Sequence, residues 1–202
     1  IATIPIVEGS GDLKSVEEAV KVAESFKYPV ILKDPDGGGG KMNLIARNQR
    51  ELEAAYLTLK KNPENKQVFL ERYIENAIHI EVQIVADKHG NVVSLGERDC
   101  TMQRQGQKII EEAPSPQISE RLRNLLQLAA VNFARDIGYQ GVGTWEFIID
   151  RDRKGRGGDP AWYFMEVNPR LQVEHRVTEA VAYVNGKNVD LVDLMLDIEE
   201  GR

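Results

Sequence analysis

Two strand-like apolar runs, residues 142–150 and 162–168, flank the glycine-rich turn RDRKGRGGD. That arrangement restricts the chain to a β-hairpin at this point. If the turn centres near Arg156, counting outward sets Glu146 directly across from Glu166. Because side chains on a strand alternate with period two, Glu166 and Asn168 emerge on one face. Opposed carboxylates repel by about 0.2–1 kcal/mol on an exposed face, and by more when buried. A divalent cation removes that cost. Two carboxylates and an amide oxygen are hard ligands, suited to magnesium or manganese bridging to phosphates rather than to zinc. The plainer alternative is that these carboxylates face lysines or water. Pro169 stops regular pairing, and Arg170, Gln172, Glu174 and His175 crowd behind it.

A second constellation lies upstream. Val30-Ile31-Leu32 reads as a short buried strand that delivers Lys33, followed by the loop DPDGGGGK. The backbone N–H groups of Gly37, Gly38, Gly39 and Gly40 can close around phosphate oxygens, with the Lys33 ammonium reaching the same anion. A flexible surface turn explains a glycine run equally well. A phosphate loop together with metal carboxylates suggests a nucleoside triphosphate between two subdomains. The third cluster, Gly96 to Pro114, is rich in both acids and bases and has little apolar periodicity, so a solvated charge run is its default reading. Balanced charge without aromatics excludes a basic nucleic-acid patch. Cys100 reads as a small packing residue, and His79 reads either as a ligand contact or as a surface residue.

The net charge of −6 gives no global attraction for nucleic acid or an anionic membrane, so any anion must be held locally. No apolar run approaches the length of a membrane span. One cysteine leaves no internal disulfide and is compatible with a reducing compartment. The start at Ile1 reads as a trimmed end of something longer.

The remaining elements follow from periodicity. A helix from Ser15 to Phe26 has capping-box spacing at Ser15 and Glu18, and a second begins at Asn48 with Glu51 three residues on. Met42 to Ala46 and Gln67 to Arg72 are strands, and Asn62 to Asn65 is a turn. Ile80, Val82 and Ile84 alternate with Glu81, Gln83 and Val85 as a half-exposed strand, which turns at Lys88–Asn91 into a strand from Val92 to Leu95. The longest helix runs from about Ser119 to Ile137 on Leu122, Leu125, Leu126, Ala129 and Phe133, with Gly138 closing it. A leucine-striped helix occupies residues 190–198. β and α elements in irregular order with several hairpins imply an α+β fold.

FLERYIENAIHIEVQIVAD, GERDCTMQRQGQKIIEEAPSP, GTWEF and FMEVNPRLQVEHRVTE resemble the biotin carboxylase component of biotin-dependent carboxylases, an ATP-grasp enzyme. The resemblance covers nearly the whole chain in order. It implies an ATP-grasp fold, with residues 1–73 as the mobile lid and 74–202 as part of the C-terminal core. It implies that Lys33 and Gly37–Gly40 hold ATP phosphates, that Glu71 and the backbone near Ile74 receive adenine, and that His79 and Gln103 line the ribose and phosphate region. Glu146, Glu166 and Asn168 match the magnesium (or manganese) ligands. Lys108, Arg170, Gln172, the Val173 backbone and Glu174 match the bicarbonate and biotin end.

The implied chemistry has two steps. Glu174, as general base, activates bicarbonate to attack the γ-phosphoryl group of ATP, giving carboxyphosphate and ADP. Carbon dioxide is then released, the remaining phosphate deprotonates biotin, and Arg170 holds the developing ureido oxygenate. Implied partners are bicarbonate, a biotin carboxyl carrier domain, a carboxyltransferase subunit or domain, and other copies in a homo-oligomer of the full-length protein. The implied location is cytoplasmic, or the mitochondrial matrix in a eukaryote. By itself this piece is expected to show little or no carboxylase activity. Gly106 stands where the family usually has histidine, the glycine loop is one residue short, and Arg176 replaces a proline or small residue. Two other readings are a related ligase such as a carbamoyl phosphate synthetase, against which the QVEH and ERDC strings argue, and a nucleotide-binding or assembly module without turnover.

Overall fold

A computed structural model of the chain describes residues 5–34, 43–61, 67–104 and 106–201. It divides into two compact units, Val7–Glu75, and Asn76–Arg202 together with Ile1–Ile6.

The first unit contains α1 (Val16–Phe26), β1 (Val30–Lys33), β2 (Leu44–Ala46), α2 (Gln49–Lys60) and β3 (Phe69–Arg72). Both helices start where their capping residues require. The Ser15 hydroxyl accepts from the Glu18 N–H at 3.2 Å, and the Asn48 side chain accepts from the Glu51 N–H at 3.0 Å. β1 is the central strand, antiparallel to β2 and β3. The inward residues Val30 and Leu32 pack with Ala19, Ala23, Leu52, Leu59 and Leu70 into one apolar core. Gly37–Gly40, Met42 and the turn at 62–65 lie outside the described residues.

The second unit is built on a five-stranded antiparallel sheet. Its strands are β4 (Ala77–Ala86), β5 (Val92–Arg104), β6 (Gln107–Glu112), β7 (Gly141–Lys154) and β8 (Pro160–Asn168), in the order β6-β5-β4-β7-β8. α3 (Glu120–Asp136) precedes β7, and α4 (His175–Val181), the two-residue strands β9 (Tyr183–Val184) and β10 (Lys187–Asn188), and α5 (Leu191–Glu199) follow β8. One sheet face carries Ile78, Ile80, Val82 and Ile84 from β4 and Trp145, Phe147 and Ile149 from β7. It is covered by Leu122, Leu126, Ala130 and Ala134 of α3. The buried stripe is thus rotated from the expected one, and Leu125 is 37% exposed.

Two expectations fail in this unit for one physical reason. β5 does not stop at Leu95; it continues through Glu97, Arg98 and Asp99 to Arg104, and β6 takes up much of the remaining charged segment. β4 is not half-exposed either, since Glu81, Gln83 and Val85 are buried along with the apolar residues between them. Charged residues signal a solvated segment only when nothing polar covers them, and here Glu81, Glu97, Arg98 and Asp99 find hydrogen-bond partners inside the fold.

Candidate functional site

The face of the sheet opposite α3 carries the polar residues. In antiparallel pairing directly opposed residues share a face. Arg98 pairs with Glu81, Glu81 with Glu146, and Glu146 with Glu166, so one row across β5, β4, β7 and β8 holds a guanidinium and three carboxylates. The next row on that face runs from Gln83 through Thr144 to Asn168. The outward count from Arg156 reaches the Glu146–Glu166 pair although the ladder is irregular. Register shifts at Asp150/Lys154 and at Glu146/Phe147 run in opposite senses, and Met165 is the extra residue of the second.

Glu146 is 4% exposed, and its oxygens are taken by donors. Oε2 accepts from His79 Nε2 at 2.7 Å; Oε1 accepts from Asn168 Nδ2 at 2.6 Å and Gln172 Nε2 at 3.4 Å. Burial opposes its charge, but the His79 hydrogen bond and the Lys108 ammonium hold this carboxyl below the ordinary glutamate value. The His79 tautomer follows from its neighbours. Gln103 Nε2 donates to the Cys100 carbonyl oxygen at 2.8 Å and to His79 Nδ1 at 2.8 Å. Nδ1 is therefore the acceptor, and the ring proton sits on Nε2, facing Glu146.

Lys108 joins the row from β6. Its ammonium bonds Glu81 Oε1 and, at 2.5 Å, Glu174 Oε1. Burial alone would lower the Lys108 pKa, but Glu81, Glu174 and Glu146 outweigh it and hold it above the ordinary lysine value. Burial and the nearby Glu174 push the Glu111 carboxyl upward. Glu174 is buried at the N-terminal end of α4, and Gln172 is buried two residues before it. Arg170 is exposed and donates to the Leu171 carbonyl oxygen at 3.1 Å, and Val173 is 89% exposed.

His79, Gln103, Lys108, Glu146, Asn168, Gln172 and Glu174 are thus joined by hydrogen bonds into one network. Glu166 shares the row but is exposed and stands apart from the tight set of His79, Glu81 and Glu146, whose ligand atoms all lie within 4.8 Å of one another. In the first unit, Lys33 Nζ bonds Glu71 Oε2 at 2.6 Å, each side chain about one-third exposed, and Ile74 is buried. Gly106 is exposed and turns with φ +74°, in the left-handed region that favours glycine over the expected histidine.

Glu81 and Arg98 went unread in the sequence, though both sit at the centre of the network. The available signal was the polar trio His79, Glu81 and Gln83 at every second position of an apolar strand. Such a row on a strand flanked by others marks a polar face that something must satisfy.

The oxygen donors of this face suit a hard cation. Glu146 is held ionised and Asn168 is in contact with it. Glu166 shares their face, and the carboxylates of the network outnumber the cations bonded to them. Oxygen ligands with surplus negative charge fit magnesium or manganese.

The family model described as "Carbamoyl-phosphate synthase L chain, ATP binding domain" matches residues 1–202. Biotin carboxylase 2, chloroplastic, of Populus trichocarpa is 45% identical over 99% of this chain and 37% of its own length. Biotin carboxylase 1 of Bacillus subtilis (strain 168) is 42% identical over 99% of this chain and 43% of its own length. Among solved structures, the biotin carboxylase domain dimer of Hydrogenobacter thermophilus 2-oxoglutarate carboxylase, in complex with MgADP, ADP and bicarbonate, superposes with TM-score 0.84. It is 44% identical and covers 98% of this chain and 42% of that one. The chain therefore spans well under half the length of these relatives.

Proposed function

The chain belongs to the family of the carbamoyl-phosphate synthase L chain ATP-binding domain, with the α+β ATP-grasp fold of biotin carboxylases, and from that premise we propose that it forms part of an enzyme carboxylating biotin with bicarbonate and ATP. The observation that carries the reading is the Lys108 ammonium shared between Glu81 and Glu174, on the sheet face that also holds Glu146.

In this reading Glu174 receives the proton of bicarbonate as its oxygen becomes the nucleophile. Lys108 remains charged through the step and offsets the negative charge of the bound anion. Gln172 supplies a neutral donor beside it, and the Val173 backbone and Arg170 line the same end. Arg170, exposed and with donors to spare, holds the oxygen of the carrier-linked biotin ring. Glu146, Glu166 and Asn168 hold a magnesium or manganese ion, with His79 orienting the Glu146 carboxylate through its Nε2 proton. Such an ion neutralises and orients phosphate oxygens. In the first unit, Lys33 binds nucleotide phosphate, and Glu71 with the backbone near Ile74 binds adenine; Gly37–Gly40 are assigned to phosphate by the family pattern alone. The same reading proposes as partners a biotin carboxyl carrier domain, a carboxyltransferase and a second copy of the full-length protein. No helix of the described residues is long and apolar enough to cross a membrane; a cytoplasmic or matrix location belongs to the proposal.

The test is bicarbonate-dependent ATP hydrolysis in the full-length protein, wild type against Glu174→Gln. The rate of the variant is expected to fall by about 10²–10⁴ while the fold is retained, because the proton acceptor is gone and the shape is not. Equal rates would remove Glu174 from the mechanism.

A further inference from the structure

No step above uses Arg98, yet it is the most heavily bonded side chain of the network and is fully buried. Nη1 donates to Gln83 Oε1 and Thr178 Oγ1, both at 2.8 Å. Nη2 donates to Glu81 Oε2 at 3.1 Å, Thr144 Oγ1 at 3.1 Å and Gln172 Oε1 at 2.9 Å. These partners come from β4, β7, α4 and the segment before α4.

A guanidinium only donates, so every partner must turn an oxygen toward it. For Gln172 this decides the amide. With Oε1 committed to Arg98, the NH2 group points away and reaches Glu146 Oε1 at 3.4 Å. For Glu81 it fixes Oε2 and leaves Oε1 to Lys108, whose ammonium holds Glu174. One buried side chain therefore sets both arms of the site.

We propose that Arg98 is a positioning residue for bicarbonate: it locks the Gln172 amide with its N–H groups outward, and through Glu81 and Lys108 it fixes the Glu174 carboxylate. Without the fork the amide is free to rotate and offer its carbonyl oxygen, which repels an anion. Lysine keeps the charge but is a point donor on a flexible stem, and it does not reproduce the planar fork. The inference rests on the reading of Gln172 and Glu174 as the bicarbonate end.

The experiment measures KM for bicarbonate and for ATP separately in the full-length protein. Arg98→Lys is expected to raise KM for bicarbonate by about tenfold or more and to move KM for ATP by less than about twofold. In a Gln172→Ala background the same change should raise KM for bicarbonate by clearly less than it does in wild type, because the Gln172 arm is already gone and only the Glu81–Lys108–Glu174 arm is left to disturb. Equal rises in both KM values, or a fully additive cycle, would reduce Arg98 to a structural role and overturn the proposal. Gln172→Glu decides the matter if Arg98→Lys does not fold. Its carboxylate still accepts from Arg98 but has no N–H to offer, so KM for bicarbonate must rise at least tenfold. An unchanged value overturns the proposal. Wild-type protein with no bicarbonate-stimulated ATP hydrolysis overturns the functional reading itself, an outcome distinct from activity whose KM does not move.

Discussion

The two units hold charge in opposite ways. In Val7–Glu75 the packed core cluster is apolar, although Asp34 is buried in the same unit, and the Lys33–Glu71 pair is partly open to solvent, each side chain about one-third exposed. In the second unit the charges are inside, with Arg98 and Glu81 at 0% exposure and Lys108 and Glu174 bonded to the same cluster. A surface pair is screened and replaceable, worth about 0–1 kcal/mol. A buried one is fixed in geometry, and breaking it strands a charge in a poorly solvating interior. The difference suits the work proposed for each. A nucleotide contact has to exchange partners as ligand comes and goes, whereas a base and its neighbours have to stay where they are.

The largest expected effect tests the buried side. Arg98→Met should lower the free energy of unfolding by about 3–5 kcal/mol, because Glu81 loses its buried partner. Urea denaturation followed by circular dichroism reads it, and a loss under 1 kcal/mol would mean that the network is solvated after all. Next is the apolar core of the first unit. Leu70 is fully buried, and Leu70→Ala should cost about 2–5 kcal/mol, felt as early melting of Val7–Glu75 by hydrogen exchange. If the second unit opens to the same degree, the contrast between them fails.

A smaller effect depends on pH. Burial opposes the charge on Asp99, but hydrogen bonds from Ser115, Thr101 and Gln117 hold its carboxyl below the usual aspartate value. Because the folded value lies below the unfolded one, this stabilisation is fully present above the ordinary carboxylate range. It is lost as pH falls through the depressed value. Asp99→Asn should therefore be less stable than wild type at neutral pH, with the gap closing in acid. Urea midpoints across an acid series measure it, and a gap that widens in acid would reverse the assignment. The smallest effect is on the surface. Lys33→Met should change stability by less than about 1 kcal/mol, and a larger loss would show that the Lys33–Glu71 pair is structural.

Much of this was legible in the residues themselves. Ser15 and Asn48 start their helices because capping needs only local chemistry, and the Glu146–Glu166 pairing follows from counting along a hairpin. The strings around Glu174 carried the family resemblance. What stayed hidden were β5 beyond Leu95, the burial of β4, and the helix α4 behind Glu174. A short helix of seven residues leaves too little periodicity to read, and its placement depends on packing.

By itself, then, the sequence determined the elements with local signals, the Glu146–Glu166 pairing and part of the polar face. Only the tertiary structure decided that Glu81, Arg98 and Glu146 on this face are buried, that Arg98 sits at its centre, and that Lys108 reaches Glu81 and Glu174 together. The reason is physical. Alternation along a strand says which side chains share a face, because backbone geometry imposes it locally. Whether water or another polar group covers that face depends on segments far away in sequence, such as Gln172 and Thr178 over Arg98.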